Sequence, residues 1–405
     1  MSEPKKRIGI QNLDDDWDCV VIGAGPAGTM AARQAAMRGL KTLIVDRKTF
    51  PREKVCGACV NRRALTLLDQ VGLGHVVHNC RGIPFDRIQL RCPSGHASLP
   101  LSRGFAVSRA TLDDALVEAA VSEGATFVSD TMAQILPTEH PAGDRGANQR
   151  SVKLIENHSD CTKPHSRTVR CQIVIAADGL GHPSLQRLPD FHDKVARSSR
   201  IGVGTIVEHG ANVLREGSIG MAVGRDGYVG MVRISHNRLN VAACLDVTRL
   251  RDVGHPGVVV ADILQRAGFA DFGAADHTWK GTIQLSRSTN TVASQGILVV
   301  GDAAGYVEPF TGEGIAWALA GGVAVGDCAA SGAHVNQMTA EQIWKREWRQ
   351  LVARRQKWCR RLAVLLRHPT AVSVAIYAAS TFPFLANRII ASLDSPALEL
   401  QATTS

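Results

Sequence analysis

The segment that most constrains this chain lies near its start. Asp18 to Ile22 (DCVVI) is a short apolar run that reads as a strand buried on both faces. It leads directly into Gly23-Ala24-Gly25-Pro26-Ala27-Gly28, and a helix-forming stretch follows to Arg38, where Gly39 stops it. Lys41 to Val45 (KTLIV) reads as the next strand and ends at Asp46, 18 residues after Gly28. A G-x-G-x-x-G alone is a weak signal. Its place between a strand and a helix, with an acid closing the second strand, makes it specific. Gly23 permits the tight turn, Gly25 lets the backbone approach a diphosphate, and Gly28 lets helix and strand pack closely. Pro26 and Ala27 open the helix, whose N-terminus stabilises phosphate charge, and Asp46 is placed to accept from ribose hydroxyls. The unit reads as the start of a Rossmann-type α/β dinucleotide fold.

Composition fits that architecture. A chain of 405 residues holds two to three structural units at roughly 150 residues each. Hydrophobic residues make up 45% and charged residues 20%, which excludes disorder as the main state. The net charge of +9 is concentrated: between Glu341 and Arg367, nine Lys or Arg stand against two Glu. No recognition motif accompanies this local excess, so no nucleic-acid partner is expected. The ten cysteines are scattered and the N-terminus is polar, so reduced thiols and a cytoplasmic location are expected. Cys56 and Cys59 form a lone C-x-x-C with no second half, so no metal is expected. No unbroken apolar run reaches the roughly 18 residues of a membrane span.

Along the chain, residues 1–16 read as a flexible leader. Phe85–Leu90 and His96–Leu101 alternate around Pro93-Ser94-Gly95 as a hairpin, and Ser108–Glu123 reads as a helix. The polar stretches 137–150 and 157–168 read as exposed turns around a strand at Val152–Ile155. Gln172–Ala176 is a further buried strand, and repeated strand signals over 200–250 point to an inserted sheet. Ile297–Val300 returns to the parallel sheet, and the chain is helical from about Thr339. The reading therefore assigns 17–84, 103–190 and 291–335 to the dinucleotide domain. It assigns 85–102 and 191–290 to an inserted antiparallel substrate-binding sheet, and 336–405 to C-terminal helices.

Two further segments narrow the cofactor. One is Ile175-Ala176-Ala177-Asp178-Gly179, followed by Ser184 and Arg187. The other is Gly301-Asp302-Ala303-Ala304-Gly305, followed by Pro309-Phe310-Thr311-Gly312-Glu313-Gly314-Ile315. With these three signatures in order over residues 17–335, the chain resembles FAD enzymes of the para-hydroxybenzoate hydroxylase class. The chemistry agrees: Asp302 at a strand end can bind ribityl hydroxyls, and the Gly312-x-Gly314 turn admits a flavin ring. The helix from about Ile315 points its positive end where charge collects on reduction. Arg109, ahead of Leu112-Asp113-Asp114-Ala115-Leu116, resembles the arginine this class places beside the FAD phosphates. The resemblance extends the cofactor-binding set to Arg47, Lys54, Gly57, Ala58, Ala133, Asp178, Gly179, Gly301 and Pro309.

Phe50-Pro51-Arg52-Glu53-Lys54-Val55-Cys56-Gly57-Ala58-Cys59 resembles the Lys-x-Cys-Gly segment of the geranylgeranyl reductase family, which reduces isolated C=C bonds of prenyl chains. That resemblance makes Cys56 the candidate catalytic thiol, with Tyr306 and Glu308 as lesser proton-donor candidates. The related halogenases carry a Trp-x-Trp-x-Ile-Pro motif that is absent here. The reductases also carry Tyr-x-Trp-x-Phe-Pro facing the substrate, and here the corresponding Gly227-Tyr228-Val229-Gly230-Met231 keeps the Tyr alone. Tyr228 and Met231 are the candidate substrate contacts, and the apolar substrate stays open among prenyl, polyketide and fatty classes. The leading expectation is reduction or dehydrogenation of a C=C/C–C bond. The alternatives are monooxygenation of an aromatic or polyketide substrate, or a flavoprotein acting only as electron carrier. There is no second G-x-G-x-x-G, so NADPH or NADH docks transiently or another protein donates electrons.

In the C-terminal region, Trp344, Trp348, Leu351, Val352, Trp358, Leu362 and Leu365 fall near one helical face, with Lys and Arg over the rest. Two readings stand: a helix packed on the FAD domain with a solvated basic face, or a peripheral membrane contact.

Overall fold

The computed structural model describes residues 9–137, 149–157, 165–208, 210–308, 310, 312–334, 336–382, 384 and 388. Strand β1 (Asp16–Ile22) passes through Gly25, the N-cap of α1 (Pro26–Met37), to β2 (Thr42–Val45). Next come β3 (Cys59–Val60), α2 (Arg62–Gln70), α3 (Val76–Asn79) and the hairpin of β4 (Ile83–Cys92) with β5 (Gly95–Ala106). Helix α4 (Arg109–Ser122), capped by Ser108, leads to β6 (Thr126–Val128), β7 (Thr131–Ile135), β8 (Arg150–Glu156) and β9 (Ser166–Ala176). After β10 (Asp193–Val195) lie β11 (Ile201–Glu208), β12 (Ser218–Gly224), β13 (Gly227–Arg233) and β14 (Arg238–Leu245). Helices α5 (Val247–Val253) and α6 (Pro256–Arg266) precede β15 (Lys280–Gln284), β16 (Arg287–Thr289), β17 (Ala293–Ser294), β18 (Ile297–Val299) and β19 (Gly305–Tyr306). The chain closes on α7 (Gly314–His334), α8 (Gln337–Trp348), α9 (Arg354–Leu365) and α10 (Pro369–Thr381).

The first sheet runs β17-β18-β9-β1-β2-β6, with β7 and β8 attached to β9 as an antiparallel flap. Its central pairs, β1 with β2 and β9 and β9 with β18, are parallel, which is why these strands are apolar on both faces. Helices α1 and α7 pack on it and against each other through glycines: a Cβ on Gly322 of α7 would lie 2.4 Å from the Ala27 carbonyl oxygen of α1. Over Gly314–Ala333, α7 is long and apolar enough to cross a membrane, yet 78% of that window is buried as the core helix of this layer.

The second sheet runs β15-β11-β14-β13-β12-β4-β5-β3. It departs from the fully antiparallel expectation at one joint, since β12 pairs with β4 in parallel. The β4–β5 hairpin comes from a distant part of the chain and docks beside β12, so no tight turn forces its direction. A second difference is α5 and α6, absent from the strand-only reading of this region. Val260, Ile263 and Leu264 of α6 cover one face of the sheet. A small sheet, β10-β16-β19, joins the two layers.

The flexible-leader expectation is corrected over the part described. Ile10 is 1% exposed, its N–H donates to Glu156 Oε1, and Asp15 pairs with Arg167. An apolar side chain and a buried acceptor hold residues 9–16 against β8 and β9. The expected turn at 157–168 is likewise shortened, because β9 begins at Ser166. Residues 1–8, 138–148 and 158–164 lie outside the described residues.

Candidate active site

The glycines of the first turn do different work. A Cβ on Gly23 would lie 2.4 Å from Ala177 O, and one on Gly28 would lie 1.8 Å from Gly23 O. Both positions are closed by backbone. In front of Gly25 the nearest atoms are Arg52 Nη2 at 3.6 Å and Arg109 Nη2 at 4.0 Å. Two guanidinium groups therefore flank the N-terminus of α1, where the helix already presents N–H groups and partial positive charge. Arg109 is buried and donates from Nε and Nη2 to the two oxygens of fully buried Asp113, at 2.8 and 2.7 Å. Burial works against its charge, but Asp113 and the neighbouring Cys56 outweigh that and hold the guanidinium above its ordinary value. Arg109 thus stands in a buried salt bridge beside the turn expected to meet the phosphates.

Arg52, which the motif reading passed over, lies 3.3 Å from Asp113 and 3.5 Å from Asp46. Its only sequence signal is its place just ahead of Lys54 and Cys56. Asp46 accepts from the Ala24 N–H at 2.8 Å and the Lys48 N–H at 2.9 Å, which aims its carboxylate at the turn. Two further expected cofactor contacts show no side-chain engagement with this cluster. The Arg47 side chain is exposed, and its carbonyl accepts from Asn157 Nδ2. Ala133 packs its methyl into the domain core, so that side chain offers nothing to a ligand. Pro309 lies outside the described residues.

The other two motifs meet at one lysine. Lys54 Nζ lies 3.2 Å from Asp302 Oδ2 and 3.9 Å from where a Gly179 Cβ would stand. Asp178 accepts from the Ser184 N–H at 2.7 Å, and burial pushes its carboxyl above the usual range. Gly301 and Gly312 have φ of +66° and +67°, conformations that favour glycine. Arg63 donates to Glu313 at 3.3 Å and ties the Gly312–Gly314 turn to α2. Among the described residues, none but the chain neighbours comes within 4 Å of a Cβ built on Gly57 or Gly314, and Ala58 and Ile315 are buried beside them. The set fits FAD. A cation-flanked helix N-terminus suits a diphosphate, Asp46 and Asp302 suit hydroxyls, and a glycine-walled slot suits a flat ring.

The slot and the space in front of it form one cavity of about 370 Å³. One wall is the inner face of the second sheet, with Ile88, Leu90, Leu99, Leu101, Ile219 and Met221. Cys56, Gly312, Tyr306 and Phe310 close the opposite side, and Leu362 of α9 contributes to the roof. Tyr228 lines the cavity, with its ring edge-on to Phe310 at 5.2 Å. Burial pushes its hydroxyl well up, and pushes the adjacent Cys244 thiol to about 12. Met231 borders the cavity as expected, although its methyl lies on the other side of the sheet. Successive strand residues face opposite ways. Tyr228 and Gly230 share the cavity face, while the Met231 methyl packs behind the sheet near Leu214 and Phe269.

Cys56 borders both slot and cavity. Its sulfur accepts from the Ala58 N–H at 3.4 Å, its carbonyl accepts from Asn240 Nδ2 at 2.9 Å, and Arg109 is in hydrogen-bond contact with it. Burial drives the neighbouring Cys59 thiol to about 12. Tyr306 lines the cavity with a hydroxyl raised by burial. Glu308 does not line it: the carboxylate is fully buried between Arg367 and Arg200, so it serves as a structural ion pair.

Comparison with known proteins places this geometry. A family described as FAD binding domain matches residues 16–327. A menaquinone reductase of Mycobacterium tuberculosis is 28% identical over 388 residues, covering 88% of this chain and 86% of its own. A digeranylgeranylglycerophospholipid reductase of Methanosarcina mazei is 26% identical over 359 residues, covering 84% and 82%. Among solved structures, the flavin-dependent brominase Bmp2 superposes with a TM-score of 0.70 at 16% identity, covering 94% of this chain and 93% of its own. PqsL, a probable FAD-dependent monooxygenase from Pseudomonas aeruginosa, gives 0.69 at 16% identity, covering 89% and 99%. The two structural likenesses establish the fold and no chemistry. The family match spans both the phosphate turn and the start of α7, so the chain belongs to the FAD-binding-domain family and is an FAD-dependent oxidoreductase.

Proposed function

We propose that the chain reduces a C=C bond of an apolar, prenyl-like substrate. The observation that carries this reading is the aliphatic wall of the second sheet, which faces the glycine slot directly with Cys56 at the junction. The named activities of the two reductase relatives point the same way.

When bound, FAD supplies a hydride from its N5 position to one alkene carbon. The chain does the rest. The Gly23–Gly28 turn, Arg52, Arg109 and Asp46 hold the diphosphate and ribose end. Lys54, Asp302 and the Gly312–Gly314 turn hold the ring end. Ile88, Leu99, Ile219 and Met221 exclude water and align the apolar substrate across the slot. Cys56 stands where a proton is needed on the second alkene carbon, with Arg109 and the Ala58 N–H fixing its sulfur. NADPH or NADH, docking transiently, is the proposed electron source.

The test is a single-turnover experiment. FAD-loaded protein is reduced with NADPH or NADH without oxygen and mixed with a long-chain prenylquinone. The flavin absorbance is expected to return at a rate that rises with substrate, and the product to keep two added hydrogens in its prenyl chain after the quinone ring is reoxidised. Return of absorbance only on admitting air, with a product one oxygen heavier, would make the chain a monooxygenase. Return in air with no product from any substrate would leave an electron carrier.

A further inference from the structure

The C-terminal helices have two faces with different chemistry. Inward, Cys359 and Ala363 of α9, Leu366 at its C-cap, and Val372 and Ile376 of α10 are buried, the last three against the hairpin of the second sheet. Leu362 reaches the cavity itself. Outward, the surface is strongly apolar. Among the described residues, 13 large hydrophobic side chains are exposed, and seven of them fall between Trp358 and Phe384. Trp358 is 64% exposed and Tyr377 71%. Scattered exposed apolar residues need no explanation, but this concentration in one short segment does.

The charge there is of one sign. Arg354, Lys357, Arg360 and Arg361 are exposed on α9, and the sequence has no Asp or Glu from Trp348 to Leu393. The Arg361 guanidinium lies 5.0 Å over the Trp358 ring, so cation and aromatic form one surface. The corner between the two helices turns through 108° and is pinned by Arg367, which donates to Glu308 and to the Ser198 carbonyl. The outward face is therefore held in fixed relation to the cavity roof.

We propose that this outward face of α9 and α10 docks on an anionic lipid bilayer. Apolar and aromatic side chains enter the headgroup boundary while the basic side chains meet lipid phosphates. An apolar substrate dissolved in the bilayer then needs to pass only the strap that Leu362 lines. The proposal deepens the reading of the cavity as a site for an apolar substrate. Its test involves no turnover, so either can fail without the other.

The full-length, FAD-loaded protein is sedimented with phosphatidylcholine vesicles, with and without phosphatidylglycerol. Binding is expected to the mixed vesicles, weaker binding to phosphatidylcholine alone, and a steep loss with added salt. Each cation contributes about fivefold near an anionic surface. The triple variant K357Q/R360Q/R361Q should thus lose about two orders of magnitude in vesicle affinity. The pair W358S/Y377S should lose about tenfold, through the apolar contribution. Both variants alter exposed side chains, so flavin content and thermal midpoint should match the parent. The proposal is overturned if the parent ignores mixed vesicles or if both variants bind as it does. It is equally overturned if the parent is a dimer that W358S/Y377S converts to monomer, which would give the face to a second copy of the chain.

Discussion

The FAD cradle and the cavity wall beside it are assembled by opposite means. The cradle is made of backbone. Its turns are contiguous in sequence, Gly23 and Gly28 are closed by other backbone atoms, and Arg52 and Arg109 converge on one buried carboxylate, Asp113. The cavity wall is made of alternate side chains from strands far apart in sequence, joined by one parallel pairing between β12 and β4. A change in the cradle should therefore act on all or nothing, and a change in the wall should act by degree.

The sharpest break in that contrast lies within a single turn. Gly28→Val puts a branched side chain where even a Cβ would meet Gly23 O at 1.8 Å. No folded, flavin-containing protein is expected. Gly25→Val meets nothing closer than the flexible ends of Arg52 and Arg109. Its FAD-free form should melt like the FAD-free parent, yet the ratio of flavin to protein absorbance after gel filtration should fall nearly to zero. Retained flavin in Gly25→Val would remove the diphosphate from this turn.

The next effect in size concerns the buried pair. Arg109→Ala leaves Asp113 with Arg52 alone, and stranding a buried carboxylate in this way costs about 3 kcal/mol. Arg52→Ala removes a less buried side chain while Arg109 still neutralises Asp113. Denaturant melts should separate the two variants, whereas FAD affinity should fall in both. Equal stability of the two would mean that Arg109 is not the keystone of the pair.

The wall is tested by two methionines on neighbouring strands. Met231→Ala opens a void in the core behind the sheet and should cost about 2–5 kcal/mol, with a smaller change in KM than Met221→Ala although Met231 also borders the cavity. Met221→Ala enlarges the cavity instead. Its stability loss should be smaller, and its main effect should be a change in KM that depends on substrate chain length. The reverse pattern would put the cavity on the wrong face of the sheet.

The same contrast explains what the sequence alone could reveal. The β1–α1–β2 unit, the Asp178-Gly179 loop and the Asp302 strand end were legible because each is a local string with one backbone solution. Arg52 escaped because its importance comes from Asp113, some 60 residues away, and no local spacing links them. Met231 was legible as a cavity residue, but the packing of its methyl behind the sheet was not, because a motif position carries no information on strand parity, which only pairing across the sheet decides. The parallel β12–β4 joint and the cover provided by α6 are tertiary choices of the same kind. Residues 9–16 were read as free because they are polar, although one apolar side chain, Ile10, and one buried acceptor, Glu156, suffice to hold them.

The finest test lies where cradle and wall meet, at Cys56 and Tyr306. If Cys56 carries the proton, Cys56→Ser should lower turnover by about 10²-fold, within the usual range for general acid–base groups, with flavin content unchanged. Tyr306→Phe should lower it by less than about tenfold, because a tyrosine that only shapes the pocket lies outside that range. The hydroxyl also predicts a pH signature. Burial holds the folded-state value above the unfolded one, so ionisation is penalised in the folded protein. Its contribution to stability is fully present below about pH 10 and is lost as the pH rises from there toward the raised value. Tyr306→Phe has no such proton to lose. Relative to the parent it should gain stability only above about pH 10, while buried Tyr228 contributes equally to both proteins. A parent and variant whose melting points stay parallel across that range would mean that the Tyr306 hydroxyl is reached by water, and that the wall beside the flavin slot is wetter than its aliphatic lining implies.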